Sequence, residues 1–190
     1  LRLQIQPHFL FNTLNAVSSL IGQGRAREAD ATLLRLAAFL RHTLAAGPRE
    51  LVRLESEIDS QGRYLDIEEV RFPDRLRRRL LIEPETLAAM TPSLILQPFV
   101  ENADKHGLAQ SIAPVTLEVG ARREGDRLKL WVADDGPGAG AVCGTGLGRS
   151  LENAERRLTL LYGSDASLRY GPAQAGGWRV DIELPFEVAA

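Results

Sequence analysis

The spacing of apolar residues changes near residue 70, and this change limits the chain to a two-part, mixed architecture. Before that point, apolar residues recur at intervals of three, four and seven, which at about 100° per residue places them on one stripe of a helix. The members of this first stripe are Leu3, Leu10, Leu14, Val17 and Ile21. Beyond that point, short β-type runs alternate with helical runs. The sequence therefore predicts an α+β protein whose domains cover residues 1–70 and 71–190.

The first 45 residues predict an antiparallel helical hairpin. The first stripe is interrupted by the polar, glycine-containing segment 22–27, and a second stripe then runs until Gly47-Pro48. The members of the second stripe are Leu33, Leu36, Leu40 and Leu44. Because two helices cannot bury both of their faces, we expect the hairpin to form a four-helix bundle in a homodimer. A third, highly charged helix is predicted at about residues 54–70.

The second domain is predicted to be an α/β sandwich with a mostly antiparallel sheet and helices on one face. Short runs rich in β-branched, leucine and aromatic residues give five strands, at residues 76–82, 115–122, 128–133, 167–170 and 178–184. Helical patterns fall between them at residues 92–106 and 151–161.

The composition excludes several classes of protein. The net charge is −2 and the basic residues are scattered apart from a cluster within residues 75–79, so we expect no direct nucleic-acid binding. Cys143 is the only cysteine, which excludes an internal disulfide and a zinc site with several cysteines. No apolar run approaches the roughly 20 residues of a membrane span. Because the chain begins at Leu1 in the middle of a pattern, we expect a globular fragment whose anchor lies elsewhere.

One histidine on the first helix faces away from the first stripe. His8 lies roughly 150° from the stripe, and Asn12, Asn15 and Ser19 continue the same outward strip. Pro7 removes a helical hydrogen bond just before it and so sets the local geometry. The spacing is compatible with a site open to a partner and equally with an ordinary solvated helix face.

A second cluster lies on the predicted helix that ends near residue 106. Asn102, Lys105 and His106 share one face at i, i+3 and i+4, where an amide oxygen, an ammonium and an imidazole suit a metal-bound triphosphate. The same residues also fit the C-terminus of a helix. Lys105 and His106 would interact favourably with the negative end of the helix dipole, and Gly107 would form a left-handed cap.

Two glycine-rich segments follow. One is Asp134-Asp135-Gly136-Pro137-Gly138, and the other is Gly144-Thr145-Gly146-Leu147-Gly148 before a predicted helix. Closely spaced glycines let backbone N–H groups approach phosphate oxygens, although each segment alone also fits a surface turn. The spacing does not match a dinucleotide-binding fingerprint, and no Gly-Lys-Ser/Thr follows that would indicate a Walker A loop.

Taken in order, these blocks resemble the LytS-type sensor histidine kinases, whose ATP domain belongs to the gyrase/Hsp90/histidine-kinase/MutL superfamily. Residues 7–12 match the family's phosphoacceptor box and residues 97–107 its N box. Residues 134–138 and 144–148 match its two glycine boxes. The resemblance covers essentially the whole chain. It implies an ATP- and Mg²⁺-dependent protein histidine kinase of a two-component system.

The resemblance also implies roles for individual residues. His8 would be the phosphoacceptor, Asn102 a Mg²⁺ ligand and Asp134 the acceptor of the adenine amino hydrogen. Lys105 and His106 would lie near the phosphates, and Asn12 would orient water in a reverse phosphatase reaction. Gly136 and Gly138 would keep the base pocket open. Residues 139–148 would form a lid over the triphosphate, and its last members are Thr145, Gly146, Leu147 and Gly148.

Two positions depart from the family pattern. Four residues separate Gly148 from Asn153 where the family usually has about two. Phe9 follows the phosphoacceptor where many other histidine kinases carry an acidic residue, so spacing does not identify a general base. Glu101, beside the expected metal ligand, is the candidate base.

The resemblance further implies partners and a location. The phosphoryl group would pass to a response regulator, of the LytTR DNA-binding type. The complete bacterial protein would be anchored in the inner membrane with this portion in the cytoplasm. Two alternatives stay open at this stage, namely a nucleotide-binding switch of the same fold and a pure dimerisation protein. A metal hydrolase is disfavoured, because His8, His42 and His106 show no shared ligand spacing.

Overall fold

A computed structural model describes residues 7–45, 51–109, 111–137, 145–174 and 176–189. It confirms the predicted α+β fold, with N-terminal helices followed by a sheet domain. The helices are α1 (Pro7–Gly22), α2 (Ala26–Ala45), α3 (Leu54–Arg71), α4 (Gln97–Ala103) and α5 (Thr145–Tyr162). The strands are β1 (Leu51–Arg53), β2 (Leu76–Ile82), β3 (Met90–Pro92), β4 (Val115–Glu124), β5 (Arg127–Asp134), β6 (Ser167–Pro172) and β7 (Trp178–Pro185).

Helices α1 and α2 form the predicted antiparallel hairpin. The turn between them falls at residues 23–25, where Gly24 adopts a left-handed φ of 75°. Phe9 at the start of α1 lies 5.4 Å, centroid to centroid, from Phe39 near the end of α2. This contact joins the start of one helix to the end of the other, as an antiparallel pair requires.

The predicted stripes are only partly buried within the chain. Val17 is buried, but Leu14 and Ile21 are 43% and 58% exposed. The buried face of α1 is rotated toward α3, and it consists of Phe9, Thr13, Val17 and Leu20. The remaining apolar face of the hairpin therefore points away from the rest of the chain. On α2, too, Leu44 is 62% exposed.

The five predicted strands form one sheet in the order β2-β4-β5-β7-β6. Only β2 and β4 are parallel, and the other three pairings are antiparallel. The sequence missed β1 and β3, which pair with each other over three residues each and are too short to show an alternating pattern. Because β3 and a turn occupy residues 90–96, α4 starts at Gln97 and not at residue 92.

The helices cover one face of this sheet. Along β5 every second residue is buried, among them Leu128, Leu130 and Val132, and these pack in one core with Phe99 of α4 and Leu158 of α5. The same core contains residues of the hairpin. Phe9 stacks on Tyr64 of α3 at 4.7 Å, and Phe39 lies 5.7 Å from the same ring. Helix α3 thus contacts both parts of the chain, and the domain division at residue 70 stays a prediction.

The outer face of the sheet has one position that tolerates no side chain. A Cβ on Gly120 of β4 would overlap the indole ring of Trp131 on β5, whose Nε1 donates to Glu118 at 2.7 Å. We expect Gly120→Ala to displace the indole and lower the free energy of unfolding by about 1–3 kcal/mol. Urea denaturation measures this loss.

Gly171 of β6 provides the matched control for Gly120. A Cβ at this position meets no atom within 4 Å, and its φ is not left-handed. Gly171→Ala should leave stability unchanged or raise it by about 0.4–1 kcal/mol, because alanine restricts the unfolded chain. Equal urea midpoints for Gly120→Ala and Gly171→Ala would show that the indole does not restrict this position.

Candidate functional site

Asp134, the last residue of β5, lies among three glycines. The N–H of Gly136 donates to Asp134 Oδ1 at 3.0 Å. A Cβ on Gly107 would lie 2.9 Å from the same oxygen, and a Cβ on Gly177 would lie 2.6 Å from it. Gly136 and Gly107 also touch each other, since a Cβ on Gly136 would come within 2.5 Å of Gly107 Cα. The end of the N box and the first glycine box thus meet at one carboxylate.

The sequence did not single out Gly177, which precedes β7. Its φ of 71° is left-handed, and a Cβ there would also overlap the main chain of Asp134. The pair Gly176-Gly177 before a predicted strand was the available signal, because two adjacent glycines mark a close backbone approach.

Asp134 is a partly titrating carboxyl at neutral pH. Burial raises its pKa to about 6, although the N–H groups of Gly136 and Trp178 favour the charged form and limit the rise. The neighbouring Asp135 carboxylate raises the pKa further. The carboxyl is therefore mostly ionised at pH 7 and able to accept hydrogen bonds.

Helix α4 carries Asn102 toward the same region. Asn102 is 8% exposed, and its Nδ2 has no hydrogen-bond partner among the described residues. Glu101 beside it is also buried and accepts a 3.0 Å bond from Gln97 Nε2. An unsatisfied buried N–H donor is costly unless an acceptor completes its bonding, so Asn102 is suited to donate to a bound group with oxygen acceptors.

The backbone that carries Asn102, Lys105 and His106 is not one continuous α-helix, and their shared face stays a prediction. The α-helix ends at Ala103 and continues as one π-helical turn, Asp104–Leu108. Lys105 is exposed and His106 half-buried, and burial together with the Lys105 charge lowers the pKa of His106. Gly107 lies inside this turn, and it is not a left-handed cap. It is glycine because Asp134 approaches it closely.

A buried polar cluster that the sequence analysis missed lies behind the π-helical turn. Tyr64 donates to Asp104 Oδ2 at 3.3 Å, and Arg71 lies 2.5 Å from Glu68 and 3.8 Å from Asp104. Burial, and then the neighbouring Asp104, raises the pKa of Glu68 to about 8. Burial likewise raises the pKa of Asp104, against the opposing charge of Arg71. We name these four residues the α3 polar cluster.

The start of α1 lies close to this cluster. His8 is exposed, as predicted, and Asn12 Nδ2 lies 3.1 Å from its Nδ1 and 3.2 Å from its Nε2. The amide can therefore donate to whichever ring nitrogen is unprotonated. The His8 imidazole is also among the groups that lower the pKa of Asp104, after Arg71, Glu68 and Tyr64. The polar strip beyond Asn12 lines a cleft of about 460 Å³ against Arg71 and Phe72.

The segment leading into α4 is held from two sides. The buried carboxylate of Glu57 on α3 accepts the N–H groups of Leu94 at 2.7 Å and Leu96 at 2.9 Å. Arg157 of α5 donates to the Ser93 carbonyl at 2.5 Å. Leu94 has a left-handed φ of 57°, which costs free energy for a non-glycine residue, and these bonds compensate for that cost.

Glu57 should make stability depend on pH. Burial raises its folded-state pKa from the ordinary 4.5 to about 7. The two backbone hydrogen bonds, the Arg157 charge and the Gln61 hydrogen bond lower the pKa but only partly offset this rise. Between these values the folded state binds more protons than the unfolded state, so its contribution to stability falls as pH rises from about 4.5 to about 7. Glu57→Gln should flatten this part of the profile, as measured by urea unfolding at several pH values.

Glu55→Gln is the control for this pH profile. Glu55 lies on the same helix, but its side chain is 55% exposed and forms a surface ion pair with Arg53 at 3.4 Å. This variant should keep the wild-type slope. If Glu57→Gln also keeps it, the slope belongs to other buried carboxyls such as Glu68 and Asp134.

Part of the expected lid lies outside the described residues. This applies to Gly138 and to residues 139–144. The last four lid positions, Thr145, Gly146, Leu147 and Gly148, form the first turn of α5, which begins six residues earlier than the predicted helix at residue 151. Asn153 lies on the same helix and is exposed.

Comparisons with known proteins agree with this arrangement. The family model for histidine kinases matches residues 1–76. The sensor histidine kinase BtsS of Escherichia coli K12 is 34% identical over 98% of this chain. The sensor protein LytS of Staphylococcus haemolyticus is 32% identical over 93% of this chain. The chain spans about a third of the length of these relatives, 33% and 32% respectively.

Solved structures show the same fold. The histidine kinase domain of the Erythrobacter litoralis EL346 blue-light activated kinase covers 89% of this chain, and the match covers 80% of that domain. Its TM-score is 0.54 at 16% identity. The match to the catalytic domain of the histidine kinase ThkA covers 72% of this chain and 95% of that domain, with a TM-score of 0.53 at 15% identity. With the sequence relatives, these findings confirm the resemblance: the chain belongs to the histidine kinase family and is of the LytS type.

Proposed function

We propose that this chain is the catalytic core of a sensor histidine kinase in a two-component system. It binds Mg-ATP, transfers the γ-phosphoryl group to His8 and then passes that group to an aspartate of a response regulator. One observation carries the proposal. The N box supplies both the buried Asn102 and Gly107, and Gly107 packs directly against the glycine-lined carboxylate of Asp134.

The residues present fit a magnesium nucleotide. Asp134 would accept the adenine amino hydrogen, and Gly136 and Gly138 would leave room for the ring. Asn102 would hold Mg²⁺ through its amide oxygen, with Lys105 and His106 beside the phosphates. The described residues contain no group of three or more His, Cys, Asp and Glu able to hold a metal alone, so the phosphates would supply the other ligands. Thr145, Gly146, Leu147 and Gly148 would place the N-terminus of α5 at the phosphates.

The chain's own residues prepare the phosphoacceptor. Asn12 Nδ2 lies 3.1 Å from Nδ1 and 3.2 Å from Nε2 of His8 and so helps to orient the imidazole. The unprotonated ring nitrogen carries the lone pair that would attack phosphorus. Bound ATP supplies the electrophilic γ-phosphorus and ADP as the leaving group. Lys105 would offset the charge that develops during transfer.

Glu101 remains our proposed base for the His8 proton. It is buried on α4 beside Asn102, and its charge is one of those that raise the pKa of Tyr64, after burial, Asp104 and Glu68. The Tyr64 ring stacks on Phe9, the residue after His8. Asn12 would also orient water for the reverse phosphatase reaction.

The exposed apolar face of the hairpin favours a homodimer. Phe11 and Leu34 are each 64% exposed, alongside Leu14, Ile21 and Leu44. Several large apolar side chains exposed on one hairpin favour an interaction surface. A second copy of the hairpin would cover it and complete a four-helix bundle.

We further propose a response regulator of the LytTR DNA-binding type as the phosphoryl acceptor. This chain would act in the bacterial cytoplasm, as a portion of a protein anchored in the inner membrane. Among the described residues, no helix is both long and apolar enough to cross a bilayer. Matched relatives named sensor proteins support this setting.

Autophosphorylation tests the proposed function. The purified protein is incubated with Mg²⁺ and γ-³²P-ATP, and the label is then exposed to acid and to base. We expect a base-stable, acid-labile label, which is the behaviour of a phosphoramidate. ATP binding without any such label would instead favour a nucleotide-dependent switch, and failure to bind millimolar Mg-ATP would exclude both.

A further inference from the structure

We propose that Glu57 of α3 and Arg157 of α5 are positioning residues for the Mg-ATP site, and that they act by fixing the turn of residues 93–96, which leads into the N box. This inference rests on the proposed kinase function and adds to it two residues that hold the nucleotide-binding elements in place from behind. We name residues 93–96 the N-box turn.

The N-box turn is buried and has a strained backbone. Its four residues are 0% to 5% exposed, so their backbone polar groups need partners within the protein. Leu94 has a left-handed φ of 57°, a conformation that leucine rarely adopts. A turn of this kind keeps its shape only where the surrounding groups hold it.

Glu57 satisfies two N–H groups of the N-box turn. Its Oε2 accepts the Leu94 N–H at 2.7 Å, and its Oε1 accepts the Leu96 N–H at 2.9 Å. Leu96 is the N-cap residue of α4, and its own apolar side chain cannot cap the helix. The Glu57 carboxylate therefore takes the place of the cap, at the end of α4 where the helix dipole favours negative charge.

Arg157 holds the same turn from α5. Its Nη1 donates to the Ser93 carbonyl at 2.5 Å. Burial lowers the pKa of the guanidinium, and the charge of Glu57 opposes this shift. The Arg157 charge in turn lowers the pKa of Glu57. Because each charge favours the other, the two side chains should act on the turn as a unit.

The N-box turn connects two elements that the proposed function places at the nucleotide. Asn102 lies five residues after Gln97, the first residue of α4, so fixing the start of α4 also fixes the place of Asn102. Residues 145–148 form the first turn of α5, the helix that Arg157 anchors. A displaced turn would therefore shift both the expected metal ligand and the end of the lid relative to Asp134 on β5.

Glu57→Gln tests this role in the intact chain. Glutamine has a single acceptor oxygen, so one of the two backbone N–H groups would face an amide NH₂. At pH 8, above the Glu57 pKa of about 7, the Kd and the KM for Mg-ATP should rise about 10- to 100-fold, the usual effect of removing a residue that orients a metal ligand. The rate at saturating Mg-ATP should change much less. An unchanged Kd, with any loss confined to that rate, would overturn the proposal.

Arg157 gives an independent variant should Glu57→Gln fold poorly. Arg157→Met removes the charge and the donor, and it should raise the Kd for Mg-ATP about 10- to 100-fold as well. Arg157→Lys keeps the charge and one donor, and it should restore most of the affinity. The double variant Glu57→Gln/Arg157→Met should bind no more weakly than the weaker single variant. Effects that multiply would mean that the residues do not act through one turn.

Hydrogen exchange gives a readout that needs no nucleotide. In Glu57→Gln and Arg157→Met, amides in peptides covering residues 93–103 should exchange faster than in the wild type, while peptides of β2 and β4 keep their rates. Faster exchange throughout the sheet, or no change at residues 93–103, would contradict the proposal.

Three controls separate positioning from a general loss of stability. Glu55→Gln on α3 and Arg156→Met on α5 alter exposed neighbours, and both should keep the wild-type Kd. Gly120→Ala lowers stability from the outer face of the sheet, and it should also keep the wild-type Kd. An equal rise in Kd for Gly120→Ala and Glu57→Gln would overturn the proposal. A wild-type chain that fails to bind Mg-ATP would instead refute the kinase function itself, so the two failures are distinguishable.

Discussion

His8→Gln abolishes incorporation of label from γ-³²P-ATP and leaves ATP affinity and folding unchanged; this is the largest effect that we expect from a single substitution. Glutamine can still bond to Asn12, but its amide nitrogen is not a nucleophile and cannot form a phosphoramidate. The side chain is exposed, so the free energy of unfolding should change by no more than about 0.5 kcal/mol. Phosphorimaging and calorimetric ATP titration measure the two properties separately.

His42→Gln is the control for this result. His42 lies on α2, half-buried, and no role in transfer is proposed for it. This variant should label like the wild type. If His8→Gln retained label, or if His42→Gln lost it without losing ATP binding, the phosphoacceptor assignment would be wrong.

Local patterns were sufficient for most of the helices and strands. The expected third helix at about 54–70 forms as Leu54–Arg71, and the run 76–82 is a strand with those bounds. Both have enough residues for a period to repeat. The strands β1 and β3 have three residues each, and they depend on pairing with each other, which a local pattern does not contain.

The buried face of the hairpin could not be predicted from its own stripe. The stripe gave the apolar side of α1 correctly in outline, but the half of it that is buried depends on where α3 docks. Of the predicted stripe, Val17 is buried, whereas Leu14 and Ile21 are exposed. Phe9 and Leu20, which lie outside the predicted stripe, are buried because Phe9 packs on Tyr64 of α3, and Leu20 packs in a cluster with Ala29 of α2 and Val70 of α3. When an apolar stripe is wider than the surface that one neighbouring helix can cover, the sequence does not show which side of the stripe that helix buries.

The site was predicted as a set of residue types and not as a geometry. The glycine boxes and the N box pointed to Asp134, Asn102 and Gly136, but the packing of Gly107 against Asp134 and Gly136 is a contact between distant segments. The same holds for Glu57 and Glu68, which the sequence identified only as part of a highly charged helix. They are buried because Glu57 satisfies the backbone of residues 94 and 96, and Glu68 pairs with Arg71. Such compensation is visible only once the fold brings the partners together.

Asp134→Asn should lower ATP affinity by about 100-fold or more, because a buried donor would then face the adenine amino group where an acceptor is needed. The two side chains have the same shape, so packing against the three glycines is kept. Burial disfavours the charged carboxylate, whose pKa is about 6, so the neutral amide removes a desolvation cost at pH 7. The loss of an acceptor for one of the Gly136 and Trp178 N–H groups opposes this gain, so we expect only a small net change in stability. Calorimetric titration and thermal melting measure affinity and stability in turn.

The matched control is Asp135→Asn, one residue further along and exposed, whose Oδ1 accepts the Thr116 N–H at 2.6 Å. An asparagine there can still accept that bond, so ATP affinity should stay at the wild-type value.

A second comparison uses GTP, whose ring carries an oxygen where adenine carries the amino group. Because an asparagine amide can donate to that oxygen, Asp134→Asn should narrow the preference for ATP over GTP. If Asp134→Asn lowered the affinity for ATP and GTP by the same factor, Asp134 would support the pocket without hydrogen-bonding to the base.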